Sequence, residues 1–437
     1  MSETTTQRRF DEAALAALPR STPFVDGLRK RAFDEFRALP MPSQETEEWR
    51  YTDLSAFELD FAAFTEGGRA DNLDGVPGTI LAAAGVVGER SGLQIQHNSE
   101  VMVTHLDPAL AELGVVFTDL DLAVERHADL VEPNLHAVVP VERTAFTALH
   151  AAFRTGGTFL YVPDGVEVAI PLQTLTWVDA DGAAVFPHTL IVVGDNAEVT
   201  FIDRFASPAL RGFSDAITEI VTGAGSRVRY ASIQEWGDGM THLGIQRAQL
   251  GRDADFRSVA IGFGADLARA EAETILAEPG AFSEMLGVFF ADGDQHFDHR
   301  SEQEHVAPNG TSDLLYKGAL RDRSRAVYSG WVHVRPGAQK TNAMQTSRNI
   351  VLSEHAKADS IPNLEIEAND VRCGHAASVG PVEEDTVFYL MSRGIPRAEA
   401  ERLIVFGFFQ EVLDRITIDE VRESVSRAIE DELARDA

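Results

Sequence analysis

A four-residue turn that places a small residue before a β-type run recurs through the middle of the chain, as Gly194-Asp195-Asn196-Ala197, Gly223-Ala224-Gly225-Ser226, Gly251-Arg252-Asp253-Ala254 and Glu278-Pro279-Gly280-Ala281. Counted between the last positions of these turns, 197, 226, 254 and 281, the steps are 29, 28 and 27 residues. A near-constant step of this size is typical of a β-solenoid, because each coil buries its inner face only against its neighbours. A β-sandwich with accidentally regular turns is the alternative that spacing alone leaves open.

Short β-rich runs separated by Gly, Asp, Asn and Pro begin at about Phe146 and continue for more than two hundred residues. Alternation with a period of two is clearest in Val199-Thr200-Phe201, Val228-Arg229-Tyr230 and Leu364-Glu365-Ile366. No helical period interrupts the runs, which argues against a doubly wound α/β sheet, because parallel strands there are joined by crossover helices. Similar turns follow later in the chain, but they are not spaced at 27 to 29 residues. They lie at Arg321-Asp322-Arg323-Ser324, Arg335-Pro336-Gly337-Ala338 and Ser353-Glu354-His355-Ala356.

Helical patterns flank the β region at both ends. We expect an N-terminal helical region at 1–65, a mixed connecting region at 66–145, a β core at 146–390 and a C-terminal helical region at 391–437. Pro396 and the capping-box spacing of Thr417-Ile418-Asp419-Glu420 predict two C-terminal helices, the second of which runs to about Ala434. Three closely spaced phenylalanines of the first, Phe406, Phe408 and Phe409, cover more than one helix face, so another element or another chain should cover part of it.

The composition excludes several classes of protein. With 437 residues and 44% hydrophobic content, the chain can bury a substantial core in two to four units. Its 69 Asp and Glu against 38 Lys and Arg give a formal charge of -31, which argues against non-specific binding to nucleic acid or to anionic membranes. Only 4 of the 38 basic residues are Lys, which fits either a salt-adapted surface or a genome that favours Arg codons.

A single cysteine, Cys373, rules out an intrachain disulfide and a cluster held by four thiolates of this chain. The longest apolar run, Ile80 to Val87, is far shorter than the ~18 residues of a membrane span. No apolar segment follows Arg8-Arg9, so the sequence shows no secretory signal. We therefore expect a cytoplasmic protein without a membrane span.

The most distinctive short motif with possible metal ligands is Arg372-Cys373-Gly374-His375. In an extended strand, positions 373 and 375 project to the same face, about 6–7 Å apart. Thiolate and neutral imidazole both bind metals, but a structural metal needs about four ligands, so any metal here must be transient or shared with another chain. A buried cysteine beside a hydrogen-bonded histidine is the alternative reading.

A second cluster contains Asp292, Asp294, His296, Asp298, His299, Glu302, Glu304 and His305. Alternation along a β run would send neighbouring ligands to opposite faces, so we interpret it as a solvated acidic loop. No Gly-x-Ser-x-Gly elbow and no Walker-type phosphate loop occurs in the sequence, so any step driven by ATP would need a partner. The segment Glu47-Glu48-Trp49-Arg50-Tyr51-Thr52 reads as a docking loop whose Trp packs on the edge of the domain.

Ordered motifs, most of them between about Asp298 and Phe409, match one known family. They are Asp298-His299, His305, Ser312, Lys317-Gly318, Tyr328-Ser329-Gly330, Pro336-Gly337-Ala338-Gln339-Lys340-Thr341, Pro362-Asn363-Leu364-Glu365-Ile366, Asp370-Val371-Arg372-Cys373-Gly374-His375 and Phe388-Tyr389-Leu390-Met391-Ser392-Arg393-Gly394-Ile395. Weaker matches lie upstream, in Glu48-Trp49-Arg50-Tyr51-Thr52 and from Ala145-Phe146-Thr147-Ala148-Leu149 through Val162-Pro163. With these residues the chain resembles the SufB/SufD family of the Suf iron–sulfur cluster assembly system over most of its length.

The resemblance implies a right-handed parallel β-helix, mainly β, flanked by helical N- and C-terminal regions. It implies a non-enzymatic scaffold that pairs with SufB through the β-helices and docks the SufC ATPase through the C-terminal helical region. For that docking we expect Leu403, Phe406, Phe409 and Leu413 to contribute. A SufS-type cysteine desulfurase and its sulfur carrier are implied as indirect partners.

The resemblance also implies a transient iron–sulfur cluster at the interface with SufB. On this sequence the histidine that faces the SufB cysteine falls at His375, the implied iron ligand, with Cys373 as a second candidate. Binding of a reduced flavin in the complex is left open. Ala376 stands where the family usually has Gly, and His188 stands where it often has Arg.

One position separates this chain from the SufB side of the family. SufB-like chains carry a cysteine before the Pro-x-Leu/Ile-Glu strand, and Ala356 fills that place here, so the resemblance is to the SufD side. A SufB-like paralogue that carries the cluster itself is the nearest alternative. A carbohydrate-active β-helix enzyme is the alternative from another class, because the stretch from Asp292 to His305 offers carboxylates, although Phe297 is its only aromatic residue.

Overall fold

In a computed structural model, which describes residues 10–85 and 90–434, the chain is mostly β, with a parallel β-solenoid of about 8 turns and helices at both termini. This arrangement confirms the solenoid and excludes the sandwich. The charged start through Arg8-Arg9 and the end of the apolar run, Val86 and Val87, lie outside the described residues. Within the described residues, no helix is both long enough and apolar enough to span a membrane.

The helices flank the solenoid. They are α1 (Glu12–Ala17), α2 (Pro23–Ala38), α3 (Gly78–Ala83), α4 (Pro108–Glu112), α5 (Leu120–Arg126), α6 (Ala128–Val131), α7 (Ala145–Phe153), α8 (Glu384–Ser392), α9 (Arg397–Leu413) and α10 (Asp419–Ala434). Short 3-10 segments lie at Glu47–Trp49, Leu73–Gly75 and Val141–Arg143.

The strands of the first half are β1 (Gly92–His97), β2 (Glu100–Leu106), β3 (Val116–Asp119), β4 (Thr158–Val162), β5 (Glu167–Trp177), β6 (Ala183–Val185), β7 (His188–Val193), β8 (Glu198–Ala206), β9 (Gly212–Thr222) and β10 (Arg227–Trp236). Those of the second half are β11 (Met240–Leu250), β12 (Asp255–Gly264), β13 (Leu267–Leu276), β14 (Phe282–Ala291), β15 (His296–His305), β16 (Thr311–Leu320), β17 (Arg325–Val334), β18 (Asn342–Val351), β19 (Lys357–Ile366) and β20 (Arg372–Pro381).

The strands form two facing sheets. Sheet 1 has the order β2-β1-β5-β8-β10-β12-β14-β16-β18-β20, and sheet 2 has the order β19-β17-β15-β13-β11-β9-β7-β4-β3, with β6 beside β9. In sheet 1 the strand starts stack in register at Glu198, Arg227, Asp255, Phe282, Thr311, Asn342 and Arg372. The repeat seen in the sequence therefore continues to the last coil. Each coil has two turns, one before its strand in sheet 1 and one before its strand in sheet 2. The later turns read from the sequence belong to both kinds, which hid the period.

A column of left-handed residues explains why the repeat is visible in the sequence. One turn in each of six successive coils has a residue with φ between 54° and 79°, at Asn196, Gly225, Asp253, Gly280, Asn309 and Lys340. Each donates its backbone N–H to a carbonyl in the next turn, as from Asn196 to Ala224 at 2.7 Å. Gly, Asn and Asp tolerate this backbone conformation, so the same residue types recur once per coil.

Both outer faces of the solenoid are covered by helical segments. The N-terminal region and α7 pack against sheet 2 through an aromatic cluster that includes Phe33, Phe153 and Phe213. Trp49 lies in this cluster as expected, with its ring 5.6 Å from that of Phe146 and the guanidinium of Arg269 4.0 Å from its centroid. On the other side, α9 and α10 pack against the outer face of sheet 1.

The segment at the start of the predicted β region is a helix instead. The hydroxyl of Thr144 accepts from the backbone N–H of Thr147 and the Thr147 side chain accepts from that of Thr144, which begins α7 at Ala145. All nine residues of α7 are buried. A helix that is covered on every face shows no polar period, so the sequence pattern concealed it. The two predicted C-terminal helices are confirmed as α9 and α10.

Candidate functional site

The two ends of the solenoid differ. At the N-terminal end, β2 pairs antiparallel with β1 and β3 pairs antiparallel with β4. At the other end, β19 and β20 are the last strands of their sheets, and within the described chain each has a strand neighbour on one side. A parallel coil that ends this way presents rows of backbone N–H and C=O groups, which is a template for another strand. This open end is defined here as β19 and β20.

The inner surface of the last coil is exposed at the open end. Ile366 on β19 is 42% exposed and Val379 on β20 is 44% exposed. Their register partners one coil back are Val334, which is buried, and Asn349, which is also buried. Side chains that face the interior in every earlier coil therefore lie at the surface here, because no further coil covers them.

Cys373 and His375 both belong to this inner surface. In register, Cys373 lies beside Ala343 and His375 beside Gln345, and both of these neighbours are buried in the interior. The prediction that Cys373 and His375 share a face follows from this register. His375 is exposed and Cys373 is half-buried. Burial raises the pKa of the Cys373 thiol, so this cysteine becomes a thiolate ligand only when a metal displaces its proton.

The interior directly behind His375 is polar. Both amide atoms of Gln345, the hydroxyl of Ser347 and the amide oxygen of Asn349 are buried without a hydrogen-bond partner in the described structure. Buried polar atoms normally find partners, so this group of three residues marks a place where another molecule or water completes the bonding. It lies one coil behind the open end.

A second group of possible metal ligands lies on the outer face of the same coils. The ligand atoms of His333, Glu365 and Glu367 all lie within 4.8 Å of one another, and the His333 Nε2 is 3.2 Å from the Glu367 carboxylate. Sequence reasoning missed this group because His333 and Glu365 are adjacent only through the pairing of β17 with β19. The coil period is the signal that could have found it.

Only the first part of the acidic stretch from Asp292 to His305 is the solvated loop that we expected, a turn at 292–295 in which Asp294 is exposed. Its second part, from His296, is β15, a central strand of sheet 2. Asp298 there is buried, accepts from the Thr52 hydroxyl at 2.7 Å and pairs with Arg269. Sequence alone could not show that basic and hydroxyl groups from other segments would satisfy these carboxylates. The stretch therefore lacks the row of exposed carboxylates that a carbohydrate-active β-helix enzyme would need.

The residues predicted to dock SufC fall into two groups. Phe409 and Leu413 are at most 1% exposed and pack against sheet 1, so they hold α9 on the solenoid and present no surface to a partner. Leu403 is 44% exposed and Phe406 is half-buried. The ammonium of Lys317 fixes this helix further, because it donates to the carbonyl of Phe408 at 2.6 Å.

An exposed apolar surface does exist beside Leu403, on α8. Phe388 is 72% exposed, Tyr389 56% and Met391 43%. These three residues and Leu403 are called the α8–α9 surface below. The sequence motif contained the α8 residues but gave no sign that they would be exposed, because apolar residues in a helix usually face a core. Exposed apolar residues grouped in this way indicate an interaction surface.

Comparison with known proteins identifies relatives along nearly the whole chain. A family model described as the SufBD core domain of the SUF system for FeS cluster assembly matches residues 176–408, and one described as the SufBD protein N-terminal region matches residues 2–174. The iron–sulfur cluster assembly protein SufD of Bacillus subtilis is 31% identical over 93% of both chains. A SufBD family protein of Mycobacterium tuberculosis is 31% identical over 95% of this chain and 96% of its own length. SufB of Bacillus subtilis is 30% identical over 73% of this chain and 69% of its own length.

Proposed function

The chain belongs to the SufBD family of iron–sulfur cluster assembly proteins, and on that premise we propose that it is a cytoplasmic, non-catalytic scaffold subunit of the SufD type. It pairs with SufB, docks the SufC ATPase and supplies part of the site on which a transient iron–sulfur cluster is assembled. The observation that carries this proposal is the open end formed by β19 and β20.

A second solenoid is the natural occupant of the open end. Strands of a partner supply the missing hydrogen bonds of β19 and β20, and its inner side chains cover Ile366 and Val379. The similarity of this chain to SufB over 73% of its length supports a partner with coils of matching width. Without such a cover, the open end is an aggregation hazard.

The cluster site of this proposal is the inner surface of the open end. His375 supplies an imidazole ligand, and Cys373, two positions away on the same strand, supplies a second after it loses its proton. Two ligands do not hold a cluster, so SufB provides the rest, including a cysteine at the position that Ala356 occupies here. Sulfur reaches the interface from a SufS-type desulfurase and its carrier.

Docking of SufC takes place on the α8–α9 surface. Phe388, Tyr389 and Met391 give it the aromatic and methionine character common at protein interfaces. Leu403 extends it onto α9. The ATP-binding residues belong to SufC, because this chain has no Walker-type loop.

His375→Ala tests the cluster role, with the exposed His355→Ala as its matched control. Each variant is co-expressed with SufB and SufC, the complex is isolated, and cluster formation is followed by visible absorption. We expect an intact complex and a reduced cluster yield with His375→Ala, and normal yield with His355→Ala. An unchanged yield with His375→Ala makes that histidine structural and overturns the ligand assignment.

Val379→Glu tests the pairing role separately. Leu113→Glu is its control, since Leu113 is also exposed, at 56%, but lies before β3 at the opposite end. A buried carboxylate at the interface should release SufB, while the isolated variant keeps its circular dichroism spectrum. Retention of SufB by Val379→Glu contradicts pairing through the open end.

A further inference from the structure

Three histidines and one glutamate meet beneath the segment that connects the N-terminal region to the solenoid, far from the open end. His136 follows α6, His150 lies on α7, His188 begins β7 and Glu219 lies on the adjacent strand β9. The ligand atoms of His136, His188 and Glu219 all lie within 4.8 Å of one another. His150 and His188 are fully buried, while the loop of His136 reaches the surface.

The hydrogen bonds of His150 fix the proton on His188. His150 Nδ1 lies 2.8 Å from the carbonyl oxygen of Asp215, which can only accept, so Nδ1 carries the proton. His150 Nε2 then has a lone pair and accepts from His188 Nδ1, at 3.1 Å. Neutral His188 therefore has a bare Nε2, and that atom faces the Glu219 carboxylate at 3.1 Å.

The same reasoning gives His136 a bare Nε2. Its Nδ1 lies 3.2 Å from the carbonyl oxygen of Val139 and donates to it. Its Nε2 is buried and has no hydrogen-bond partner in the part of the chain that the structure describes. His136 and His188 thus each have one ring nitrogen with a lone pair, and both residues lie beside the Glu219 carboxylate.

Glu219 is held as an acceptor at both oxygens. Oε2 accepts from the backbone N–H of His136 at 2.6 Å, and Oε1 accepts from those of Val138 and Val139 at 2.7 and 2.8 Å. Three backbone donors favour the ionised carboxylate, although burial raises its pKa. Burial lowers the pKa of His136 to about 4 and that of His188 as well. A lone pair that faces a carboxylate needs a proton or a metal cation between them.

We propose that this cluster binds one divalent transition-metal ion, of the zinc or iron(II) type, through His136 Nε2, His188 Nε2 and Glu219 Oε2. Two imidazoles and one carboxylate are a common ligand set for these ions. Bond lengths of about 2.1 Å place ligand atoms about 3.4 Å apart in a tetrahedral site. His188 Nε2 and Glu219 Oε2 are 3.1 Å apart, so a small outward shift would admit the ion, and the surface loop that carries His136 supplies the third ligand.

The surroundings have the features of a metal site. Ligand histidines usually donate their second N–H to a carbonyl or another acceptor, and here the Val139 carbonyl and His150 fill those roles. The nearby cation Arg154 would oppose a metal ion, but it is paired with Asp121 at 2.9 Å. The site lies within one chain, so metal binding here is independent of the scaffold function.

Metal titration of the full-length chain, after treatment with a chelator and without SufB or SufC, tests the proposal. Co²⁺ binding is read from its visible absorption bands, and Zn²⁺ binding by calorimetry. We expect one ion per chain at this site. Failure of both ions to bind stoichiometrically overturns the proposal.

Variants locate the ion. His136→Asn removes a ligand but keeps a residue that tolerates the left-handed backbone at this position, where φ is 58°. We expect it and Glu219→Gln to weaken binding on the order of 100-fold or more. The control is His242→Gln, a buried histidine elsewhere in the solenoid, which should bind as the parent does. If Glu219→Gln does not fold, the metal affinity of His136→Asn alone tests the assignment.

The outer-face group of His333, Glu365 and Glu367 is the competing location. If His333→Ala removes the bound ion and His136→Asn does not, the ion sits on the outer face of the last coils and the proposal is wrong. If His136→Asn removes it and His333→Ala does not, the buried site is supported.

Discussion

Phe409→Ala and Leu403→Ala should impair different properties, although both residues were predicted to dock SufC. Phe409 is fully buried between α9 and sheet 1, whereas Leu403 is 44% exposed. Removing a buried phenyl ring leaves a cavity and costs about 3–5 kcal/mol, while a surface truncation stays within about 0.5 kcal/mol. Phe409→Ala therefore loosens the C-terminal helices, and Leu403→Ala weakens only the binding of SufC.

Hydrogen exchange followed by mass spectrometry measures the difference locally. At about 1.4 kcal/mol per tenfold, the loss at Phe409 accelerates exchange in α10 by about 100-fold to 4,000-fold, for amides that exchange when the helices detach. We expect no change in α10 for Leu403→Ala, together with reduced capture of SufC. Unchanged protection of α10 in Phe409→Ala would falsify the packing role. Equal loss of protection in both variants would contradict the division into a buried and an exposed group.

Three further predictions concern stability. Lys340 is the only residue of the left-handed column that is not Gly, Asn or Asp. Lys340→Asn should therefore raise the free energy of unfolding by about 1 kcal/mol, measured as a higher midpoint of urea unfolding. A lower midpoint contradicts this expectation. In Gly318→Ala the new Cβ would overlap the Phe289 ring, which should cost about 1–3 kcal/mol in the same assay, and a neutral result means that the ring moves freely. Burial, and next the neighbouring Asp121, raise the pKa of Asp119 to about 6, so the folded state holds its proton more tightly and stability should fall by about 1 kcal/mol from pH 5 to pH 7. Asp119→Asn should remove that slope, and an unchanged slope assigns it to another group.

The coil period could be predicted from sequence because it depends on single residues. Asn196, Gly225 and Asp253 adopt the same left-handed turn conformation in successive coils, and few residue types tolerate it. The later turns read from the sequence came from both turn series of the coils, which hid the period although Asn309 and Lys340 continue the column. Helix α7 was missed for a different reason, since burial on all sides removes the polar half of a helical pattern.

The candidate sites also differ in how much of each could be predicted from the sequence. The common face of Cys373 and His375 follows from strand alternation, a local property. Their position at an open end depends on which coil is last, and that was not visible. The two clusters around His136 and His333 bring together residues from separate coils or segments. Their members are far apart in the sequence, so no short motif indicated them. Similarly, α9 has apolar residues on several faces, and only the packed structure separates Phe409 from Leu403.

The covering of sheet 1 by α9 and α10 has a consequence for how the protein is made. Coils can be added one by one as the chain leaves the ribosome, each on the template of the coil before it. The outer face of sheet 1, with Val259, Val288 and Phe290, stays uncovered until the last helices emerge. A chain that stops at Pro381 would therefore have every strand in place and still expose an apolar flank. Premature termination in the final helices should produce an aggregating species that chaperones retain, even though the solenoid itself is complete.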